Sequence, residues 1–259
     1  MELVGVEDRG AVRHLVLTRP EKRNALSLAL YRELRDAAQV AAEDPAVRVV
    51  VVRGEGPAFS AGNDVTELAA LPADPGSVRR HRPVMLGAFN LLEEMPKPTI
   101  AQVHGLCIGA AFELALACDL RVFADDAMAG LLETKLGLVP DLGGCSRLPA
   151  VVGLGRAKEL VMTARLVDAA EAERIGLANR IAPRAELDAA VQGLCDELLV
   201  NAPRAVGLAK RVLDAAAKPG LAASLELEVT AQELLARTED LAEGTRAVAE
   251  KRTPRFVGR

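Results

Sequence analysis

Residues 47–53 read "VRVVVVR". A strand with one face in water alternates apolar and polar side chains. Four valines in a row put apolar groups on both faces, so this strand has to be covered on both sides. Residues 11–17, "AVRHLVL", residues 99–103, "TIAQV", and residues 120–124, "LRVFA", are further runs rich in β-branched and apolar residues. Helical stretches lie between them. Ser27 is placed to cap a helix running to about Glu43, which "DP" at 44–45 ends. Residues 78–95 form another helix. Strands alternating with helices indicate an α/β core with parallel strands.

After about residue 150 the valine-rich runs stop and helical periodicity takes over. In "VDAAEAERIG" (167–176), Asp168 and Glu171 have capping-box spacing, and Gly176 is a stop signal. Residues 185–200, 202–217 and 221–250 read as further helices separated by Pro or Gly. The chain is therefore expected to form an α/β core over 1–195 with a helical C-terminal region over 196–259. No flexible linker separates them, and no strict internal repeat is seen.

Half of the 259 residues are apolar, yet there are only five Phe, one Tyr and no Trp, so the core is packed with Ala, Val and Leu. The 32 basic and 36 acidic residues give a net charge of −4, which speaks against nucleic acid as the main partner. Cys107, Cys118, Cys145 and Cys195 form no C-x-x-C pair and read as small buried thiols of a reduced compartment. His14, His81 and His104 show no ligand spacing, so no metal is expected. No secretory signal is expected from the first twenty residues, and there is no apolar run of the ~18 residues that a membrane helix needs. These features predict a soluble, cytoplasmic protein.

Three places can carry chemistry. In "HGLCIGAAFELALACD" (104–119), Glu113 is the only charged residue from Gly105 to Cys118, within a segment apolar on all sides, which implies a buried helix. A buried carboxylate there needs a distant partner or a cavity. In "GPAFSAGNDVTEL" (56–68), a turn around Gly62 leads into a short helix. Its N–H groups can converge on one oxygen, or it is simply a strand-to-helix turn. In "LLETKLGLVPDLGG" (131–144), Glu133 has Lys135 nearby as an ion-pair partner, and Asp141 after Pro140 suits a turn. The nucleophile elbow G-x-S-x-G is absent, and neither Ser60 nor Ser146 has a histidine near it in sequence.

Taken together, "RPEKRNALS", "FSAGNDVTEL", "HGLCIGAAFELALACDLRV", "LLETKLGLVPDLGGCSRLPAVVGLGRAKEL" and "EKRTPRFVG" resemble the crotonase, or enoyl-CoA hydratase/isomerase, superfamily. The likeness runs essentially end to end. It implies a spiral of βαβ-type turns followed by helices through which copies associate as trimers or dimers of trimers. It implies an acyl-CoA thioester as substrate and no separate cofactor. The N–H groups of Asn63 and Ala110 match the pair that grips the thioester oxygen. Many relatives carry Gly where this chain has Ala110.

Glu113 and Glu133 match the two glutamates, twenty residues apart, that activate water in the hydratases. That match would give Glu113 a water and Glu133 as its partners. Asp141 stands where several double-bond isomerases of the superfamily place an acid, whereas hydratases often have Gly. "GLLETK" resembles the methylglutaconyl-CoA hydratase branch. Hydration of a 2-enoyl-CoA is the favoured expectation, and enoyl- or dienoyl-CoA isomerisation through Asp141 is the alternative. The coenzyme is expected along Arg23, Ala25, Ala61, Gly62, Asp64 and Val65, with Lys251 and Phe256 closing over it from the same or a neighbouring subunit. The variable stretch 70–84, "ALPADPGSVRRHRPV", would shape the acyl pocket.

Overall fold

The computed structural model describes residues 2–69, 73, 74 and 76–258. Among the described residues nine strands occur in chain order: β1 (Val4–Arg9), β2 (Val12–Leu17), β3 (Val49–Gly54), β4 (Thr99–Val103), β5 (Leu106–Ile108), β6 (Leu120–Ala124), β7 (Met128–Gly130), β8 (Val167–Asp168) and β9 (Arg180–Ala182). The described helices are α1 (Leu28–Glu43), α2 (Val65–Leu68), α3 (Ser77–Glu94), α4 (Ala110–Ala117), α5 (Gly144–Val152), α6 (Leu154–Thr163), α7 (Ala169–Arg174), α8 (Leu187–Leu199), α9 (Pro203–Ala217), α10 (Leu221–Leu235) and α11 (Glu239–Ala249).

The larger sheet has the order β1-β2-β3-β4-β6-β9, and the smaller one β5-β7-β8. From β4 to β7 the chain gives strands alternately to the two sheets, which is the winding of a spiral. The valine strand β3 lies between β2 and β4, parallel to both. Its Val50 and Val52 face the main core, with α1, α3 and α4. Its Val49 and Val51 face a second cluster that includes Leu187, Val191 and Cys195 of α8. Two-sided cover is thus the physical reason for four consecutive valines.

The sheet departs from the all-parallel expectation at one edge. β1 pairs antiparallel with β2 through the Gly10-Ala11 turn. Only Val4 of β1 is buried, and its charged residues face outward, so the run carries little apolar signal. Charges on an edge strand also block pairing with other chains. The 104–119 segment is not one helix: β5 precedes α4. The expected helix over 221–250 is two, because Thr238 breaks it. Its hydroxyl accepts the Leu241 N–H at 3.2 Å and starts α11.

The expected division after residue 195 falls inside α8, which packs on the large sheet. The later helices also reach the core. Lys210 of α9 is buried, pairs with Asp119 at 2.8 Å and donates to Leu92 O at 3.0 Å. α10 packs against both α3 and α5. The four cysteines are free thiols, and all but Cys145 are buried. No described helix is long and apolar enough to cross a membrane.

Candidate active site

Glu113 stands in the first turn of α4, a helix whose eight residues are all buried. It is 1% exposed. Its Oε1 accepts the N–H groups of Leu142 and Gly144, each at 2.8 Å. The expected partner, Glu133 with a water, is therefore not what satisfies this oxygen. Backbone donors at the start of α5 do so. Burial raises the Glu113 pKa well above the carboxylate range, and the charges of Glu133, Asp141 and Glu228 push it further. The two N–H bonds oppose this by favouring the ionised form.

Glu133 opens a short 3-10 turn just after β7. Its Oε1 lies beside Gly109, where an added Cβ would sit 3.2 Å from it. Its Oε2 is buried and has no hydrogen-bond partner in the protein. Lys135 does not supply the ion pair that would make Glu133 structural: it is exposed, and no ion pair joins the two among the described residues. Burial, partly offset by nearby backbone N–H groups and reinforced by Asp141, pushes the Glu133 carboxyl up to about 8.

Asp141 sits in the turn after Pro140, as its sequence context suggested, yet it is only 9% exposed. The Arg82 guanidinium donates to its backbone carbonyl at 3.1 Å. Burial drives the Asp141 carboxyl up to about 7; the Arg82 charge lowers it and Glu228 raises it. Three carboxyls from three segments thus form one electrostatic cluster.

The segment 60–64 is held between residues 23–26 and β5. Ala61 N donates to Arg23 O at 2.9 Å, Leu26 N to Gly62 O at 2.8 Å, and Asp64 N to Leu26 O at 3.0 Å. An isolated bridge joins Ser60 to Cys107. Gly62 has φ +82°, and a Cβ there would meet Ile108 O at 2.6 Å and Ala110 N at 3.4 Å. Only glycine lets the two backbones approach so closely. Gly109, at φ 57° and ψ −130°, turns the chain from β5 into α4. The N–H groups of Asn63 and Ala110 donate no hydrogen bond among the described residues.

Four of the residues expected to bind coenzyme A, Arg23, Ala25, Ala61 and Gly62, lie along this same paired edge. Arg23 is exposed, and Val65 is 65% exposed at the start of α2. The Asp64 carboxylate is already engaged: it caps α2 through Thr66 and pairs with Arg19 at 3.3 Å. Lys251 and Phe256 stand in the tail that follows α11. The tail that carries them is tied to α11, where Asp240 accepts the Val257 and Gly258 N–H groups. Among the described residues no hydrogen bond joins Lys251 or Phe256 to the 23–65 segment. Of the variable stretch, residues 70–72 and 75 lie outside the described residues, and its later part forms the start of α3.

Ser60 donates to Asn24 O at 2.8 Å, and Ser146 donates to Glu228 at 2.5 Å, so neither serine has a histidine partner. Sequence reasoning missed three residues. Tyr31, the single tyrosine, is fully buried on α1 and donates to Asn63 Oδ1 at 2.6 Å. Burial, then the charges of Glu113 and Asp141, suppress its acidity. Arg82 and Glu228 complete the set. The signal for Glu228 was present: Leu225, Glu228, Val229 and Gln232 form the buried stripe of α10, and two of the four are polar.

The model of the enoyl-CoA hydratase/isomerase family matches residues 7–259. Human "Enoyl-CoA hydratase domain-containing protein 2, mitochondrial" is 39% identical over 257 residues, 97% of this chain and 87% of that protein. "Enoyl-CoA isomerase/hydratase fer4" of Mycosarcoma maydis is 35% identical over 257 residues, 96% of this chain and 93% of that protein. The crystal structure of an enoyl-CoA hydratase from Mycobacterium avium subsp. paratuberculosis superposes with a TM-score of 0.87 at 30% identity, covering 98% of both chains. The chain belongs to the enoyl-CoA hydratase/isomerase family.

Proposed function

We propose that this protein hydrates the double bond of a 2-enoyl-CoA. The observation that carries the reading is the pairing of two inequivalent buried carboxyls. Glu113 has one oxygen fixed by two N–H donors, and Glu133 has a buried oxygen with no protein partner. Such a pair can hold a water between a base and an acid. The two N–H donors stabilise the carboxylate form of Glu113 against the burial that raises its proton affinity, and in that form it takes a proton from the water as the oxygen bonds to Cβ. Glu133, held up to about 8, carries a proton at neutral pH and delivers it to Cα. The electrons of the double bond pass through an enolate. Its oxygen would be met by the free N–H groups of Asn63 and Ala110, the latter at the positive end of α4. The coenzyme would run along the edge formed by residues 23–26 and 60–65.

A second reading has its own support. The buried Asp141, with its carboxyl near neutrality, is suited to shuttling a proton between carbons of an enoyl-CoA. Crotonyl-CoA and a 3-enoyl-CoA separate the two. Loss of the conjugated absorbance with crotonyl-CoA is expected under hydration. A rise with the 3-enoyl substrate and no change with crotonyl-CoA would replace hydration by isomerisation.

Association of copies through the late helices is part of the same proposal. Leu208 and Val212, one turn apart on α9, are 62% and 68% exposed. Light scattering on the purified chain should give a trimer or hexamer mass, and a monomer at micromolar concentration would contradict it.

A further inference from the structure

The turn that carries Asp141 is held by two glutamates in alternation. Glu113 takes the N–H groups of Leu142 and Gly144. Glu228, from α10, takes those of Gly143 and Ser146, each at 2.8 Å, together with the Ser146 hydroxyl. Gln232, one turn further along α10, accepts the Val139 N–H at 3.1 Å. Arg82 bridges the same two elements, donating to Asp141 O and to Leu225 O. An N-terminus of a helix has four free N–H groups, and an ordinary cap satisfies one or two with a short side chain. Here two long, buried carboxylates divide the work.

We propose that Glu228 is a positioning residue for this site. From α10 it fixes the turn on which Glu113 depends for its two donors, and it sets its carboxyl behind Glu113 and Asp141. The proposal rests on the acyl-CoA reading above for its kinetic consequence, though not for its structural one.

The groups around Glu228 support the role. Burial raises the Glu228 pKa, and the three donors from Ser146 and Gly143 oppose this by favouring the ionised form. Arg147 of α5 adds a positive charge, while Glu113 of α4, Asp141 of the turn and Cys145 of α5 lie within its field. Ser224 of α10 bonds Ser146, at 2.6 Å between hydroxyls. Arg82 of α3 faces the turn from the other side. Glu228 raises the proton affinity of both Glu113 and Asp141. Its removal should therefore lower both.

Glu228→Gln tests this. The amide has one acceptor oxygen, so its NH2 group must face the N–H of Gly143 or Ser146. The pH profile of turnover should move to lower pH by about half to one unit, with KM within about twofold of the parent. Glu228→Asp keeps the charge and should keep the profile while kcat falls. Carboxyl titrations of 13C-glutamate-labelled protein should show the same downward move at Glu113 without any substrate. A fall in kcat equal at every pH, with the Glu113 titration unmoved, would overturn the proposal.

If the parent turns over neither thioester, the functional reading falls, and the titration still decides the role of Glu228. Should Glu228→Gln fail to fold, amide exchange in Glu228→Asp decides. Faster exchange at Leu142 and Gly144, which Glu228 does not touch, is expected. Acceleration confined to Gly143 and Ser146 would overturn it.

Discussion

Glu113 Oε1 caps the helix that begins at Gly144: the Gly144 N–H reaches it at 2.8 Å, and a Cβ at Gly144 would come within 2.9 Å of it. The same Cβ would meet Pro140 Cβ at 2.6 Å. Gly144→Ala therefore has to displace a carboxylate or the turn. We expect a loss of about 1–3 kcal/mol in stability and a fall in turnover of about tenfold or more. Denaturant melts and steady-state rates check this, and parent-like values for both would show that the site has slack.

Glu133→Gln should lower kcat by roughly two to four orders of magnitude, because an amide cannot deliver the proton. Thioester binding should survive, since the proposed oxyanion donors are backbone groups. Near-normal hydration by this variant would sink the two-glutamate assignment.

Asp141→Asn should leave hydration of crotonyl-CoA within about tenfold of the parent, if Asp141 serves the turn and the field rather than the proton transfer. A collapse of activity in a folded variant would move the chemistry to Asp141 and favour isomerisation.

Stability should fall as pH rises through neutrality. The folded state holds Asp141 up to about 7 and Glu133 up to about 8, against ordinary values of 3.8 and 4.5. The folded protein thus keeps protons that the unfolded chain has lost. Their contribution is fully present below about pH 4 and disappears as pH rises through 7 and 8. The melting temperature should drop between pH 5 and 9, and Asp141→Asn should flatten the drop. Parallel curves for parent and variant would contradict it.

Arg147 is 1% exposed and bonds Glu93 at 2.8 Å, while Lys218 reaches the other oxygen of Glu93. Arg147→Met removes the guanidinium and also its bond to Leu142 O at 2.8 Å. About 3–5 kcal/mol of stability should be lost, the usual cost of leaving a buried charge short of a partner. Chemical denaturation measures it, and a loss under about 1 kcal/mol would mean that Lys218 alone satisfies Glu93.

Local signals on this chain were read where they depend on neighbours in sequence. Ser27 caps α1 and Asp168 caps α7 as their positions predict, with hydroxyl or carboxylate accepting an N–H three residues on. The valine run of β3 declared its own burial. The edge strand β1 was not legible, because an exposed edge needs no apolar pattern. The break at Thr238 was a missed cap, since "TED" there has the composition of a helix start.

By itself, the sequence determined the α/β class, the buried isolation of Glu113, the turn around residue 62 and the likeness to one enzyme family. Each follows from residue type and spacing along the chain. Only the tertiary structure decided what satisfies Glu113, that Glu133 makes no ion pair among the described residues, that Asp141 is buried although it sits in a turn, and that Tyr31, Arg82 and Glu228 belong to the same site. Those facts depend on segments 29 to 85 residues apart meeting at hydrogen-bond distance. No periodicity records such a meeting, because a carboxylate and the N–H it accepts leave no mark on each other's local sequence.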